Sequence, residues 1–503
     1  MKNNKIWTII SVIILALQAI AEVLTVTFIL RLNILPEKYA LLLAIVLGVL
    51  MLITGGVLFI HGKKPVSILR RIIGYILAIL IIAGCVLAFW VSMDAFRTLN
   101  KVTGEDPETS VMEMYVFVRQ DDPAQSLVDA KDYGFAIVED YDVDHTQQAI
   151  VKIGEIIGTA PVVAQYDSAS SIADALFGGQ VDAAILNGVA VALLLEEEGY
   201  EDFMEKARIL HTMELAELEE TEPTVEETTA PEADITNRPF VAYVSGSDTR
   251  NKKLRTSRSD VNILVIVNPQ TKQILLLNTP RDYYVPNPAG KGKLDKLTHC
   301  GLYGVKNSMK ALGDLYGLDV HYYAQINFTG FETLIDAVGG VTVHSNQKFS
   351  VGNIHFVKGE NELNGVEALA FARERHHVSG GDNGRGRHQM EVIKALIKKM
   401  TTGTTVISNY TKIMDSLSGM FKTNVTTEEI SLLVKMQLED MATWNVQTFA
   451  ATGTGASKPS YSSPKHNAYV MYPNEKVVAY ASTLANRVLN GEILTSGDMK
   501  VPK

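Results

Sequence analysis

Cysteine is nearly absent. Only Cys85 and Cys300 occur in 503 residues. The first lies in an apolar run and the second far downstream, so the chain has no disulfide framework and no Cys/His spacing for zinc. An excess of positive charge is missing too. The formal net charge is −10. No basic stripe or helix-turn-helix pattern lies near the N-terminal segments, which argues against a nucleic-acid partner. Apolar runs long enough to span a bilayer are missing after Val91, whereas the residues before it are mostly apolar.

Three apolar stretches fill that N-terminal part, at 6–30, 39–60 and 72–91. Each has about 20 residues or slightly more, enough to cross a hydrocarbon core of roughly 30 Å. Lys2 and Lys5 precede the first stretch, and Lys63, Lys64, Arg70 and Arg71 lie around the second joint. The positive-inside rule therefore predicts a multi-pass cell-membrane protein with its N-terminus in the cytoplasm and everything after Val91 outside. Ala19-Ile20-Ala21 resembles a signal-peptide cleavage site, but two further spans follow directly, which favours retention. Residues 1–95 are thus expected to form a three-helix transmembrane segment.

Residues 105–212 alternate between strand and helix patterns. The strand-like stretches are 133–138, 161–165 and 183–186, and the helical ones are 145–157, 170–177 and 196–210. This alternation predicts a small, largely parallel α/β accessory domain outside the membrane. The stretch 172–183 is similar to a segment of bacterial solute-binding proteins. No catalytic cluster stands out here, so a scaffold or partner-binding role is expected. Residues 213–238 are rich in Glu, Thr, Pro and Ala and are expected to be an extended acidic linker.

Residues 240–490 are expected to form the second outer domain. Its most informative feature is seven arginines and four aspartates in four short stretches between Asp248 and Arg387. Guanidinium is planar, permanently charged and bidentate, which suits phosphate oxygens. Aspartates among the arginines suggest a divalent metal on the same anion. Two β-branched runs, 261–267 and 273–278, flank the turn Pro269-Gln270-Thr271-Lys272. A hairpin of this kind brings its outer ends, Asp260 and Arg281, together. Helical patterns follow at 305–315, 329–338 and 366–375. A glycine-bearing loop with Gly380, Gly381, Gly384 and Gly386 is then expected, before a helix over 387–400. Arg385 and Arg387 would sit at that helix's start, where the macrodipole disfavours cations unless an anion is present. His376, His377 and His388 have no recognisable ligand spacing and are expected to be exposed loop histidines.

The motifs of this second domain resemble the LytR–CpsA–Psr (LCP) family. They are Gly246-x-Asp248-x-Arg250, Arg258-Ser259-Asp260, Pro280-Arg281-Asp282, the run 331–341, Leu363-Asn364-Gly365, Arg373-x-Arg375, and Asp382-x-x-Arg385-x-Arg387-x-Gln389. The three spans and the extra domain resemble the capsule-associated branch. The resemblance implies a three-layer α/β/α catalytic domain. It would move a glycopolymer, a capsular polysaccharide or a teichoic-acid-like chain, from a polyprenyl pyrophosphate carrier to peptidoglycan through a phosphodiester. By the same resemblance Asp248 and Asp260 would hold Mg2+. Arg258, Arg281, Arg373, Arg375, Arg385, Arg387 and Gln389 would bind the substrate phosphates. Arg258, Asp260, Arg281 and Asp382 are the candidate catalytic residues, with Asp260 and Asp382 both open as proton acceptors. Lys296 stands where the family often has a basic residue. Gly384 and Gly386 replace bulkier residues, which is expected to loosen their loop. Other cell-wall or capsule assembly proteins are further candidate partners. A membrane sensor of lipid-linked polymer and a pyrophosphate hydrolase are the alternatives.

Overall fold

The computed structural model describes residues 2–60, 67–103, 111–139, 142–195, 197–216, 235–247, 254, 257–403, 409, 412–413 and 419–501. Three long helices come first: α1 (Lys2–Leu32), α2 (Glu37–Phe59) and α3 (Ile68–Val102). All three are long and apolar enough to span a membrane, and most of their apolar side chains face outward. The polar groups within α1 turn inward instead. Gln18 donates to the Glu22 carboxylate at 2.8 Å, and the Thr25 hydroxyl reaches the Cys85 carbonyl of α3 at 3.2 Å. This is how a bilayer-facing bundle accommodates polar residues.

The accessory domain contains β1 (Val111–Arg119), β2 (Gly134–Val138), α4 (Val143–Ile157), β3 (Val162–Tyr166), α5 (Ala169–Phe177), β4 (Ala183–Asn187), α6 (Gly188–Leu194), α7 (Phe203–Lys206) and β5 (Ala207–Ala216). Its strand order is β3-β2-β4-β1-β5. β2 pairs in parallel with β3 and β4, and β5 runs in the same direction as these three. β1 runs antiparallel to both β4 and β5. Four of the five strands thus run the same way, with β1 set against them, whereas the helix expected over 196–210 is mostly replaced by α7 and β5. Pairing along β1 overrides a helix-forming composition.

The second domain begins with β6 (Phe240–Ser247), β7 (Val261–Asn268) and β8 (Gln273–Asn278), followed by β9 (Tyr284–Pro286), β10 (Leu294–Lys296), α8 (Leu297–Cys300), α9 (Val305–Tyr316), β11 (Tyr322–Asn327) and α10 (Phe328–Ala337). Then come β12 (Val341–Ser345), β13 (Phe349–Val351), β14 (Ile354–Phe356), β15 (Gly359–Leu363), α11 (Gly365–Arg373), α12 (Gly381–Thr401) and β16 (Phe421–Thr423). The domain closes with α13 (Thr427–Asp440), β17 (Asn445–Ala450), β18 (Gly453–Ser460), β19 (Ser463–Pro473) and α14 (Glu475–Leu489). A six-stranded sheet, ordered β16-β11-β6-β7-β8-β17, forms the middle layer. Alternate side chains of β7 and β8 face opposite sides. Leu264, Ile266, Leu275 and Leu277 pack with α9 and α14, whereas Ile263, Val267 and Leu276 pack toward α12 and α13. Each fully buried Leu or Ile of this kind contributes about 1.5–3 kcal/mol.

Strands β6, β8, β11 and β17 run the same way. Their carboxyl ends, together with the start of β7, share one edge of the sheet. Ligands of open α/β sheets gather at such an edge.

Candidate functional site

The β7–β8 hairpin brings its two outer ends together. Arg281 Nη1 lies 2.7 Å from Asp260 Oδ1. Arg281 Nε lies 3.7 Å from Asp282 Oδ2, and Lys296 Nζ lies 3.6 Å from Asp282 Oδ1. Asp282 thus stands between two cations, and Thr298 reaches Asp260 at 3.5 Å. Burial pulls the Lys296 amine below its ordinary value; Asp282 opposes this, and Arg281 adds to it. Burial also lowers the Arg258 guanidinium, with Asp260 opposing and Arg281 reinforcing. Two arginines and a lysine packed this closely repel one another, and an anion of two or more charges would relieve that repulsion.

Beside this cluster opens a cavity of about 700 Å³ between the sheet and helices α10 to α12. Its polar lining contains Asp260, Arg281, Arg373, Glu374, Arg375, Arg385 and Gln389. Its apolar lining includes Ile326, Phe328, Phe331, Leu334, Leu369, Ile393, Leu396 and Phe421. One side of the pocket suits a compact anion and the rest suits a hydrocarbon chain. Arg373 reaches it from the last turn of α11, its Cζ 4.4 Å from the centre of the Phe328 ring. Face-on stacking of guanidinium on an aromatic ring holds the charge in place.

Helix α12 begins at Gly381, six positions before the expected start. Arg385 and Gln389 are therefore one turn apart on one face of a continuous helix, and both line the cavity. The dipole argument for Arg385 and Arg387 loses its footing, because the macrodipole fades beyond the first turn. The expected loosening at Gly384 and Gly386 is also overturned. A Cβ on Gly386 would lie 2.2 Å from Asn278 Oδ1, and one on Gly384 would lie 2.7 Å from the Ser379 carbonyl. Gly386 lets α12 approach the end of β8 closely, and Gly384 lets it pass the Ser379 carbonyl.

The remaining predicted residues divide. Arg258 sits beside Asp260 and Arg281, outside the cavity lining. Arg387 does not line the cavity either. It is exposed and donates through Nη2 to the Ser379 carbonyl at 2.7 Å, bracing the turn before α12. Asp382 falls in the first turn of α12, and its side chain lies outside the described atoms. Asp248 and Arg250 lie outside the described residues. They follow Ser247, the last residue of β6, whose neighbour Gly246 lines the cavity and accepts the Asp260 amide at 2.9 Å. His376 and His377 are exposed as expected. His388 is not in a loop: it stacks on Phe371, ring centres 4.1 Å apart, with Nδ1 3.0 Å from the Phe371 carbonyl. Burial lowers its pKa below the ordinary histidine value.

Sequence reasoning missed Thr298 and Glu374. Glu374 is buried, lines the cavity, and accepts the amides of His376 and His377 at 2.5 and 2.8 Å. Those hydrogen bonds hold its carboxyl below the usual range against the effect of burial. It fixes the loop carrying Arg375. Its place between Arg373 and Arg375 was the available signal.

Residues 209–483 match the LytR_cpsA_psr family. The chain belongs to this family. A relative from Enterococcus faecalis (strain ATCC 700802 / V583), named polyisoprenyl-teichoic acid–peptidoglycan teichoic acid transferase TagU, is 33% identical over 216 residues, covering 42% of this chain and 71% of that protein. The relative of the same name from Oceanobacillus iheyensis is 35% identical over 196 residues, 38% of this chain and 60% of its own length. This chain thus spans less than two thirds of the second relative. The crystal structure of B. subtilis TagV aligns at 26% identity over 50% of this chain and 98% of that one, with a TM-score of 0.43.

Among the described residues no group of three or more His, Cys, Asp or Glu side chains gathers as a metal cage. Magnesium needs none: it commonly takes one or two carboxylates, with waters and substrate phosphates completing the shell. The Asp260 carboxylate, partly exposed beside the cationic cluster, is the kind of hard oxygen donor that such a site uses.

Proposed function

We propose that the chain transfers a glycopolymer from a polyprenyl pyrophosphate carrier to peptidoglycan, leaving a phosphodiester bond. The observation that carries this reading is the cavity itself, apolar through its body and ringed by Arg281, Arg373, Arg375 and Arg385 on its polar side. The names of the relatives, which describe transfer of teichoic acid from a polyisoprenyl carrier to peptidoglycan, support the same reaction class. The extra outer domain and three spans favour a capsular polymer as cargo. The lysines and arginines before the first span and around the second joint support an orientation with the catalytic domain outside the cell.

In this reading the carrier's hydrocarbon lies against Ile326, Phe331, Leu334, Leu396 and Phe421. Its pyrophosphate meets the guanidinium groups of Arg281, Arg373 and Arg385. Arg258 and Lys296 add positive charge from behind. Asp260, with Asp248, would hold Mg2+, which when bound neutralises charge on the pyrophosphate oxygens. A hydroxyl of peptidoglycan attacks the phosphorus bearing the polymer's sugar. The bond from that phosphorus to the bridging oxygen breaks, and polyprenyl phosphate leaves with the electron pair. The hydroxyl proton is released as the phosphodiester forms. The arginines stabilise the charge that grows on the leaving phosphate, the usual source of rate in phosphoryl transfer. Asp260 and Asp282 hold Arg281 so that this stabilisation needs little reorganisation.

The test is incubation of the full chain with a synthetic lipid pyrophosphate saccharide and peptidoglycan fragments, with and without magnesium, read by mass spectrometry. The expected product is a metal-dependent phosphodiester adduct that Arg281→Ala forms roughly 10²–10³-fold more slowly. Binding without turnover would replace this reading with that of a sensor, and saccharide phosphate alone with that of a hydrolase.

A further inference from the structure

The transfer chemistry uses Arg258, Asp260 and Arg281, but it leaves a buried ionisable pair beside them unassigned. Asp295 in β10 and His299 in α8 are 0% and 1% exposed, and neither lines the cavity. Asp295 Oδ1 lies 2.9 Å from His299 Nδ1 and accepts the Lys296 amide at 2.9 Å. Its Oδ2 accepts from Asn287 Nδ2 at 3.1 Å. The same oxygen accepts at 2.5 Å from the hydroxyl of Ser462, in the turn of the β18–β19 hairpin. Burial pushes this carboxyl up, yet hydrogen bonds from His299, Ser462 and Asn287 hold it below the usual range. An ionised carboxylate only accepts, so Nδ1 of His299 carries the proton and donates it.

A buried polar pair is weak support for stability, because apolar side chains of similar volume serve as well. Its position points to another use. Helix α8 is a single turn, and its N-cap residue Lys296 makes no side-chain cap. So short a helix does not hold itself together. The Asp295–His299 hydrogen bond spans it, from the residue before the N-cap to the third helical position. This turn also joins the two arginine-bearing segments. The Thr298 amide donates to the Arg281 carbonyl at 2.8 Å, and the Leu297 amide to the Tyr283 carbonyl at 2.8 Å. From the other side, the Ser259 amide donates to the Thr298 carbonyl at 3.1 Å. Gly301, directly after α8, packs so closely that a Cβ there would lie 2.8 Å from the Ser259 nitrogen.

We propose that Asp295 and His299 are positioning residues for the transfer: their hydrogen bond fixes α8, and the Thr298 backbone then sets where Arg258, Asp260 and Arg281 meet the donor's pyrophosphate. The inference rests on the transferase reading above. Arg373, Arg375 and Arg385 reach the cavity from α11, the loop after it and α12. They still hold the donor when α8 shifts, while the charge growing on the leaving phosphate is met less well. A misplacement of about 1 Å is enough to cost about 10²-fold in rate.

The test separates the hydrogen bond from the space that the imidazole fills. His299→Phe keeps the volume and loses the donor. His299→Asn loses volume but places an amide nitrogen close to where Nδ1 stands. The full chain in detergent is given the synthetic lipid pyrophosphate saccharide and peptidoglycan fragments. Calorimetric titration reads donor affinity and stoichiometry, and single-turnover rates at saturating donor read transfer. His299→Phe is expected to bind the donor as wild type does and to transfer it about 10- to 100-fold more slowly. His299→Asn should keep most of the wild-type rate. If His299→Phe does not fold, Ser462→Ala, which removes one donor to Asp295, carries the test with a smaller fall of about three- to tenfold. Wild-type turnover in His299→Phe, or in Ser462→Ala standing in for it, would overturn the positioning role. An asparagine variant as slow as the phenylalanine one would also overturn it, by leaving the imidazole a packing role alone. Loss of donor affinity in a folded variant would do the same, by making the pair part of donor binding. Wild type that binds the donor without transferring it would instead remove the transferase reading, and this inference with it.

Discussion

Arg281 meets two carboxylates and faces the cavity, and no other side chain can replace that geometry. Arg281→Lys keeps the charge but loses the planar fork, so it should not rescue transfer. Both Arg281→Ala and Arg281→Lys are expected to cut turnover by roughly 10²–10³-fold, the cost of removing one preorganised stabiliser of a developing negative charge. Single-turnover rates with saturating donor check this. Lys296 gives a second residue-scale expectation. Burial lowers its pKa, so its positive charge is lost at a lower pH than for an ordinary lysine. Donor affinity should therefore decline as pH rises through the alkaline range below the ordinary lysine value. Lys296→Arg should move that decline to higher pH; titration of donor affinity reads it directly. The meeting of Asp260 with Arg281 was legible in the sequence because two β-branched runs flank a short turn, and antiparallel pairing does the rest. Arg387 was not legible. It shares a motif with Arg385, but on a helix two positions turn a side chain to another face.

Helix α12 shows what glycine hides. Four glycines between Gly380 and Gly386 read as a loop, yet most of that stretch is helical because the backbone must come close to β8. Alanine is ordinarily about 1 kcal/mol better than glycine inside a helix. At Gly386 the added Cβ would sit 2.2 Å from Asn278, and overpacking of this kind costs about 1–3 kcal/mol. Steric cost wins, so Gly386→Ala should lower the Tm, and Gly386→Ala with Asn278→Gly should recover part of the loss. His388 on the same helix titrates with a predictable sign. Its folded pKa is depressed, so between the two values the unfolded chain holds a proton that the folded chain does not. The stability it contributes is full above the ordinary value of 6.5 and is lost as pH falls toward the depressed one. His388→Phe should flatten that part of the curve of Tm against pH. In the accessory domain, β5 was unreadable for a different reason. Its residues favour a helix, and only the long antiparallel pairing with β1 makes them a strand.

At the scale of the whole molecule the parts agree with one another. Three apolar helices provide the anchor, and the joint between the first two touches α13. Leu432 and Leu433 of that helix and Ile393 and Ile397 of α12 pack against the same apolar cluster behind the cavity wall. The joint held by α13 and the apolar lining of the pocket thus lie on the same side of the sheet. The accessory domain meets the catalytic domain through Val189 and Leu193 of α6, packed on Leu302. That contact lies one residue from Tyr303, which faces Tyr461 of the hairpin at 6.0 Å. The spans and the arginine stretches were visible in the sequence. Contacts between distant segments were not, since they depend on which faces remain after each core has closed.

The most direct measurement is ³¹P NMR of the full chain in lipid nanodiscs, given lipid pyrophosphate saccharide, magnesium and peptidoglycan. Transfer predicts that the paired pyrophosphate resonances vanish while one phosphodiester and one phosphomonoester, the polyprenyl phosphate, grow in equal amounts. Two phosphomonoesters and no diester, or resonances that never change, would contradict it.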